Sequence, residues 1–242
     1  MLLRLPTSVS EAQECMAEGA VPIGGATLIW ATWQRDGFPE QAMSLRDLPE
    51  ANTIGRETLG GAVILNRIDD RVPEALRRAA ATVGTGAVRR TATVGGNIVG
   101  STLRCLLPAA LVLEARAVVL DPDSVYETDL TEVLAKGHLL LGLRWRDPIT
   151  SAYRKLPGEA GGPPPLVVAA ALHTVGTGGT RLRVAVRDGY DVLTESTEYD
   201  AGSDSAQVLD DLRRTGVGAL HATAWEAVHE LVTGLLSRPT GR

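Results

Sequence analysis

Cysteine, histidine, lysine and phenylalanine are all scarce in this 242-residue chain, and each scarcity excludes something. Two cysteines, Cys15 and Cys105, cannot by themselves ligate an iron–sulfur cluster, and both read as small buried thiols. The four histidines, His138, His173, His221 and His229, lack the spacing of a zinc site, so no metal is expected on this chain. Lys136 and Lys155 are the only lysines, so arginine carries almost all the positive charge, and a net charge of −5 argues against a nucleic-acid partner. No apolar stretch approaches the roughly 20 residues needed to cross a bilayer. The N-terminus also lacks a basic region followed by an apolar core and a cleavage site, so a cytoplasmic protein with no membrane partner is expected.

Glycine, by contrast, is plentiful at 26 residues, and two pairs stand out: Gly24-Gly25 in PIGGATL and Gly95-Gly96 in AVRRTATVGGNIVGS. Turns without side chains let several backbone N–H groups face one anion at unusual dihedral angles, and a dinucleotide pyrophosphate is the natural guest. Arg89 precedes the second pair, Thr93 and Asn97 flank it, and the apolar run from Leu106 to Leu113 follows it. Strand, loop and helix in that order aim backbone donors and a helix N-terminus at one place. A Rossmann fingerprint is absent, because Gly84-Thr85-Gly86 lacks the third glycine and has Arg89 in its place.

Local patterns set out the elements. Leu2 to Leu5 reads as a strand, and Ser8 with Glu11 forms a capping-box pattern that opens a helix to about Glu18. Ala20 to Ile23 is a short strand entering the first glycine pair, and Leu28 to Gln34 a helical turn bearing Trp30 and Trp33. Those tryptophans read either as core in a protein with one phenylalanine or as a stacking surface for a ligand ring. Gly61 to Leu65, Ala117 to Leu120 and Leu139 to Trp145 read as strands, and Pro73 opens a helix to about Thr82. Gly158 to Pro165 is a loop, and Leu166 to His173 pairs with Leu182 to Arg187 through a hairpin turn at Gly176-Thr177-Gly178-Gly179. Ser205 to Arg214 and Ala219 to Leu236 read as closing helices, with Trp225, Val228, Leu231, Val232 and Leu235 as a core stripe.

Taken together, LPTSVSEAQECMAEGAVPIGGATLIWA, MSLRDLPEANTI, VPEALRRAAATVGTGAVRRTATVGGNIVG and LPAALVLEARAVVL resemble the FAD-binding medium subunit of molybdenum hydroxylases, the xanthine dehydrogenase and carbon monoxide dehydrogenase type. The resemblance covers about the first 150 residues, and GGN with its upstream arginine is its most specific part. It implies an α+β fold: two small α/β subdomains of the FAD-binding, PCMH-like type over residues 1–148, divided near 53–60. A short α+β C-terminal domain with an antiparallel sheet and helices would follow over 149–242. It also implies FAD as cofactor, held by Gly24, Gly25, Ala26, Thr27, Arg89, Thr93, Gly95, Gly96, Asn97 and Ser101, and partner subunits that deliver electrons to the flavin.

The chain also departs from that pattern. Ala26-Thr27 stands where relatives carry Thr and then Asp or Ser, and Leu106 stands where their FAD-holding Asp falls in Ser-Pro-x-Ser-Asp-Leu. Losing one charged acceptor costs about 1.5–3 kcal/mol, which weakens a flavin site without abolishing it. Three readings therefore stay open. The first is a divergent FAD-dependent oxidoreductase. The second is a cyclase that folds a polyketide-like small-molecule substrate for a [4+2] addition in a cleft made apolar by Leu103, Leu106 and Leu107. Tyr153 is its catalytic candidate, and Thr27, Arg89 and Asn97 are further donors. The third is a binding subunit without chemistry of its own.

Overall fold

The computed structural model describes residues 1–158, 161–200 and 202–238. In chain order its elements are β1 (Leu2–Arg4), α1 (Val9–Ala17), β2 (Val21–Pro22), α2 (Ile29–Asp36), β3 (Gln41–Met43), β4 (Thr58–Gly60), α3 (Glu74–Ala81), α4 (Gly86–Arg89) and α5 (Leu107–Val112). There follow β5 (Arg116–Leu120), β6 (Val125–Asp129), α6 (Leu130–Lys136), β7 (Leu139–Arg144), β8 (Thr150–Lys155), β9 (Val167–Val175), β10 (Gly179–Asp188), β11 (Asp191–Asp200), α7 (Ser205–Arg213) and α8 (Ala222–Leu236). The fold is α+β, and the chain divides into two units that alternate along the sequence.

The first unit takes Met1–Val72, Val83–Arg104 and Ala115–Trp145. Its small parallel sheet has the order β1-β3-β2, and its antiparallel sheet the order β4-β7-β5-β6. Ser8 caps α1 as its spacing predicts, its Oγ accepting from the Glu11 amide at 3.2 Å. The return half of the box differs: Glu11 Oε2 accepts from the amide and hydroxyl of Thr7 instead, which holds its carboxyl below the usual range. Ala12 and Cys15 of α1, Met43 of β3, Leu120 of β5 and Leu141 of β7 form one apolar cluster that joins the two sheets. Gly61 to Leu65 is not a strand. The ladder ends at Gly60, the Val63 amide donates to the Gly60 carbonyl at 3.2 Å, and Leu65–Arg67 is a short 3-10 turn.

The second unit takes Pro73–Thr82, Cys105–Glu114 and Arg146 onward. Its sheet is antiparallel in the order β11-β10-β9-β8, with the β9–β10 hairpin turning at Gly176 and Gly178, both at positive φ. Alternate residues separate its two faces. Ala152, Val168, Ala170, Leu172, Leu182, Val184 and Val186 pack with Val208 and Leu212 of α7 and Val228, Val232 and Leu235 of α8. Trp225 and Leu231 are only partly buried against this core. On the opposite face Ser151 Oγ accepts from the Ala75 amide of α3 at 3.1 Å, and His173 Nε2 lies 2.7 Å from the Val112 carbonyl of α5. Both faces are therefore covered, which explains why Val167 to Leu172 is apolar throughout instead of alternating. Of the expected loop from Gly158 to Pro165, residues 159 and 160 lie outside the described residues.

Two polar groups are sealed under α3 and α5. Arg187 of β10 is fully buried and donates to the Pro165 carbonyl at 2.6 Å and to Cys105 Sγ at 3.6 Å. Tyr153 of β8 is 5% exposed, and its hydroxyl meets Thr82 Oγ1 at 3.3 Å. Thr82 Oγ1 itself donates to the Ala79 carbonyl, so the phenol is the donor of the pair. Burial pushes the Tyr153 phenol up to about 12. A phenol whose folded value exceeds its unfolded value contributes stability that is complete below pH ~10 and lost as pH rises towards ~12, on the order of 2–3 kcal/mol. Urea unfolding of the wild type and Tyr153→Phe at pH 8 and pH 11.5 checks this. The variant is expected to be about 1 kcal/mol less stable at pH 8 and to show a smaller alkaline loss than the wild type.

Candidate functional site

The first glycine loop leaves the parallel sheet and runs into α2. The Ile23 amide still donates to the Met43 carbonyl at 2.8 Å, and the next contact in register is the Trp30 amide on the Ala26 carbonyl at 3.3 Å. Between them the backbone N–H groups of Gly24, Gly25, Ala26, Thr27 and Leu28 have no acceptor among the described residues, and no side chain caps α2. Ala26 adopts φ 55, a left-handed conformation that costs a residue with a Cβ about 1 kcal/mol and that re-aims the chain at this point. Successive free amides around a left-handed residue, ending on a helix N-terminus, form a concavity suited to an anion.

The second loop spends its amides differently. Val94 donates to the Val63 carbonyl at 3.0 Å, Gly95 to the Gly61 carbonyl at 2.8 Å, and Asn97 to the Thr93 carbonyl at 2.9 Å. Gly96 donates to Thr93 Oγ1 at 3.2 Å. Gly95 has helical dihedrals, and Gly96–Gly100 is a single π-helical turn. The expectation of two loops offering amides to one anion is thus corrected: from Val94 to Asn97 the second loop spends its amides, two on the turn at Gly61 to Val63 and two on its own Thr93, whereas those of the first loop are open. Arg89 is likewise committed, its Nη1 donating to the Val83 and Gly84 carbonyls at 3.0 and 2.9 Å. Ser101 Oγ accepts from the Leu103 amide at 3.2 Å, and Thr93 and Asn97 are buried.

The two loops nevertheless meet, main chain against main chain. A Cβ on Gly25 would lie 1.7 Å from the Thr91 carbonyl oxygen, and one on Gly24 would lie 2.5 Å from Thr93 Oγ1. Neither glycine pair has a residue at positive φ, so close approach, and not an unusual dihedral angle, is what requires glycine here. Gly24 thus lies against Thr93 and Gly25 against Thr91 and Ala92, and Ala26, Thr27, Gly95, Gly96 and Asn97 belong to the same first unit. The turn at Gly60-Gly61 that anchors Gly95 was visible in the sequence as another glycine pair, yet its apolar neighbours read as a strand.

Tyr153 belongs to the second unit, as do Leu106 and Leu107. Leu106 is completely buried and Leu107 nearly so, because both enter the core as α5 begins, while Leu103 is 36% exposed. The apolar cleft lining expected of these leucines is therefore corrected: two of the three are core. Among the described residues no group of three or more His, Cys, Asp or Glu side chains is placed to hold a metal ion, and no helix is long and apolar enough to cross a membrane.

The family described as FAD binding domain in molybdopterin dehydrogenase matches residues 3–141, more than half of the chain. The chain belongs to that family. No curated protein sequence matches it. Among solved structures, a Cu,Mo-CO dehydrogenase in its cyanide-inactivated form is 18% identical with a TM-score of 0.73, over 99% of this chain and 97% of that one. Quinoline 2-oxidoreductase from Pseudomonas putida 86 is 15% identical with a TM-score of 0.70, over 99% and 96%. A reconstituted CO dehydrogenase from Oligotropha carboxidovorans is 20% identical with a TM-score of 0.66, over 80% and 77%. At such identities the likeness establishes the fold.

Two substitutions test the contact between the loops. Gly25→Ala places a methyl group inside the Thr91 carbonyl and is expected to cost roughly 3 kcal/mol in urea unfolding, whereas Gly100→Ala, with open space at its Cβ, should change little. Gly24→Ala collides only with the Thr93 side chain, so its cost should shrink by about 1 kcal/mol in a Thr93→Ala background.

Proposed function

We propose that this chain is the FAD-binding component of an oxidoreductase of the molybdenum hydroxylase type, working with partner subunits. The observation that carries the reading is the run of five open amides from Gly24 to Leu28, set on a loop that packs directly on Thr91 to Thr93, the stretch leading into GGN. Its residues suit a pyrophosphate: the donors are main-chain N–H groups, the N-terminus of α2 adds its dipole, and no acidic side chain lies between Gly24 and Gln34 to repel an anion. Gly24 to Leu28 would hold the diphosphate, and Thr27, Thr93, Asn97 and Ser101 would supply side-chain hydrogen bonds to the rest of the dinucleotide.

FAD, when bound, supplies the electron-accepting and electron-donating chemistry. The protein's own contribution is binding and orientation. The Ala26 conformation and the Gly25–Thr91 contact fix the direction of the amides before a ligand arrives, which lowers the ordering cost of binding. Arg89, bonded to the Val83 and Gly84 carbonyls, acts as a positioning residue that holds the turn leading into the second loop. The names of the similar structures, CO dehydrogenase and quinoline 2-oxidoreductase, support the oxidoreductase class, and the medium-subunit resemblance supports partner subunits.

Titration of the flavin-free protein with FAD, followed by visible absorption and calorimetry, tests the reading. Saturable binding that inorganic pyrophosphate competes away is the expected outcome, with FMN, which lacks the diphosphate, binding at least about tenfold more weakly. Absence of FAD binding overturns it and leaves a subunit without a flavin.

A further inference from the structure

The exposed apolar side chains of the first unit include a group clustered around the helix that the glycine loop feeds. Leu28, Trp30 and Phe38 are 54%, 46% and 45% exposed. Trp33, one turn further along α2, is buried. Phe38, the chain's only phenylalanine, stands edge-on to Trp30 with ring centroids 5.2 Å apart at 70°, and 6.1 Å from Trp33. The α2 helix ends at Gly37, whose φ of 102 a residue with a Cβ rarely adopts, and the chain leaves it with Phe38 against both tryptophans. Trp33 is thus explained by core packing. Trp30 is not: nearly half of a large apolar ring remains in water in a chain that is only 4% aromatic.

The place of the residue on the helix indicates what that ring is for. Trp30 is the second residue of α2, in the same first turn that the open amides of Gly24 to Leu28 lead into, and so lies within a few residues of them along the chain. An edge-to-face contact with Phe38 steadies the indole while the residue stays about half exposed.

We infer that Trp30, braced by Phe38, is the stacking surface for one planar ring of the dinucleotide whose diphosphate lies on the Gly24–Leu28 amides. The inference rests on the FAD reading above and adds a residue to that site. The ring is either the isoalloxazine or the adenine, both flat π-systems attached to the same diphosphate, and ligand fragments tell them apart.

The test compares wild type, Trp30→Ala and Trp30→Phe by calorimetry and tryptophan emission during titration with FAD, FMN and ADP, with urea unfolding as the check on folding. Trp30→Ala should lose roughly two- to tenfold in FAD affinity and much of the ligand-induced change in emission. Trp30→Phe, which keeps a ring, should recover most of the affinity. If FMN affinity falls in Trp30→Ala, the isoalloxazine is the stacked ring; if ADP affinity falls, it is the adenine. A Trp30→Ala protein that binds FAD like wild type with an unchanged emission response overturns the inference and leaves the FAD reading intact, as when the surface serves a protein partner instead. A Trp30→Phe protein as weak as Trp30→Ala, or a Trp30→Ala protein that no longer folds, also overturns it, because the indole would then be structural. A wild type that binds no FAD removes both readings together.

Discussion

Contact between two stretches of main chain, with no side chain between them, is the constraint on which the first unit depends. Gly25 sits where any Cβ would penetrate the Thr91 carbonyl, and Gly95, four residues further along that second stretch, donates to the Gly61 carbonyl. Interactions of this kind are short and inflexible, because backbone atoms cannot move aside as a side chain tip can. The second loop satisfies its own amides in making them, and the first loop, pressed against it and turned by the left-handed Ala26, leaves its amides open. The candidate site is therefore a by-product of packing: one loop is the anvil and the other presents the donors.

The second unit rests on a different requirement, that a sheet with two apolar faces be covered twice. Helices α7 and α8 cover one face, and α3 and α5, drawn from the earlier part of the chain, cover the other. The path changes unit between Arg104, at φ 40, and Cys105. Ser101 and Leu106 are near neighbours in sequence and serve different units for that reason. Leu106 fits the core at the start of α5, where a carboxylate would be desolvated, so the departure from the family's acidic residue is consistent with the packing around it.

The first unit gives the FAD reading its physical content. Family membership names the ligand class, the open amides are the proposed anion cradle, and the exposed Trp30 is the proposed apolar surface. The alternative of an apolar cyclisation cleft loses its motive once Leu106 and Leu107 are seen to be core and Tyr153 to be a buried donor to Thr82.

Much of this was legible in the residues. The Ser8 cap, the Pro73 start of α3, the glycine hairpin between β9 and β10 and the apolar stripe of α8 all follow from local chemistry that a short window contains. Strands β6 and β11 were not, because VYETD and DVLTESTEYD carry too little apolar pattern and are held by their neighbours' ladders. Nor was the strand-like Gly61 to Leu65, which tertiary contact turned into an anchor for Gly95. Sequence alone determined where glycine had to stand and which helices had an apolar face. Only the tertiary structure decided which amides stay open, which leucines are core and which face each helix covers, since those depend on carbonyls and surfaces brought in from distant parts of the chain.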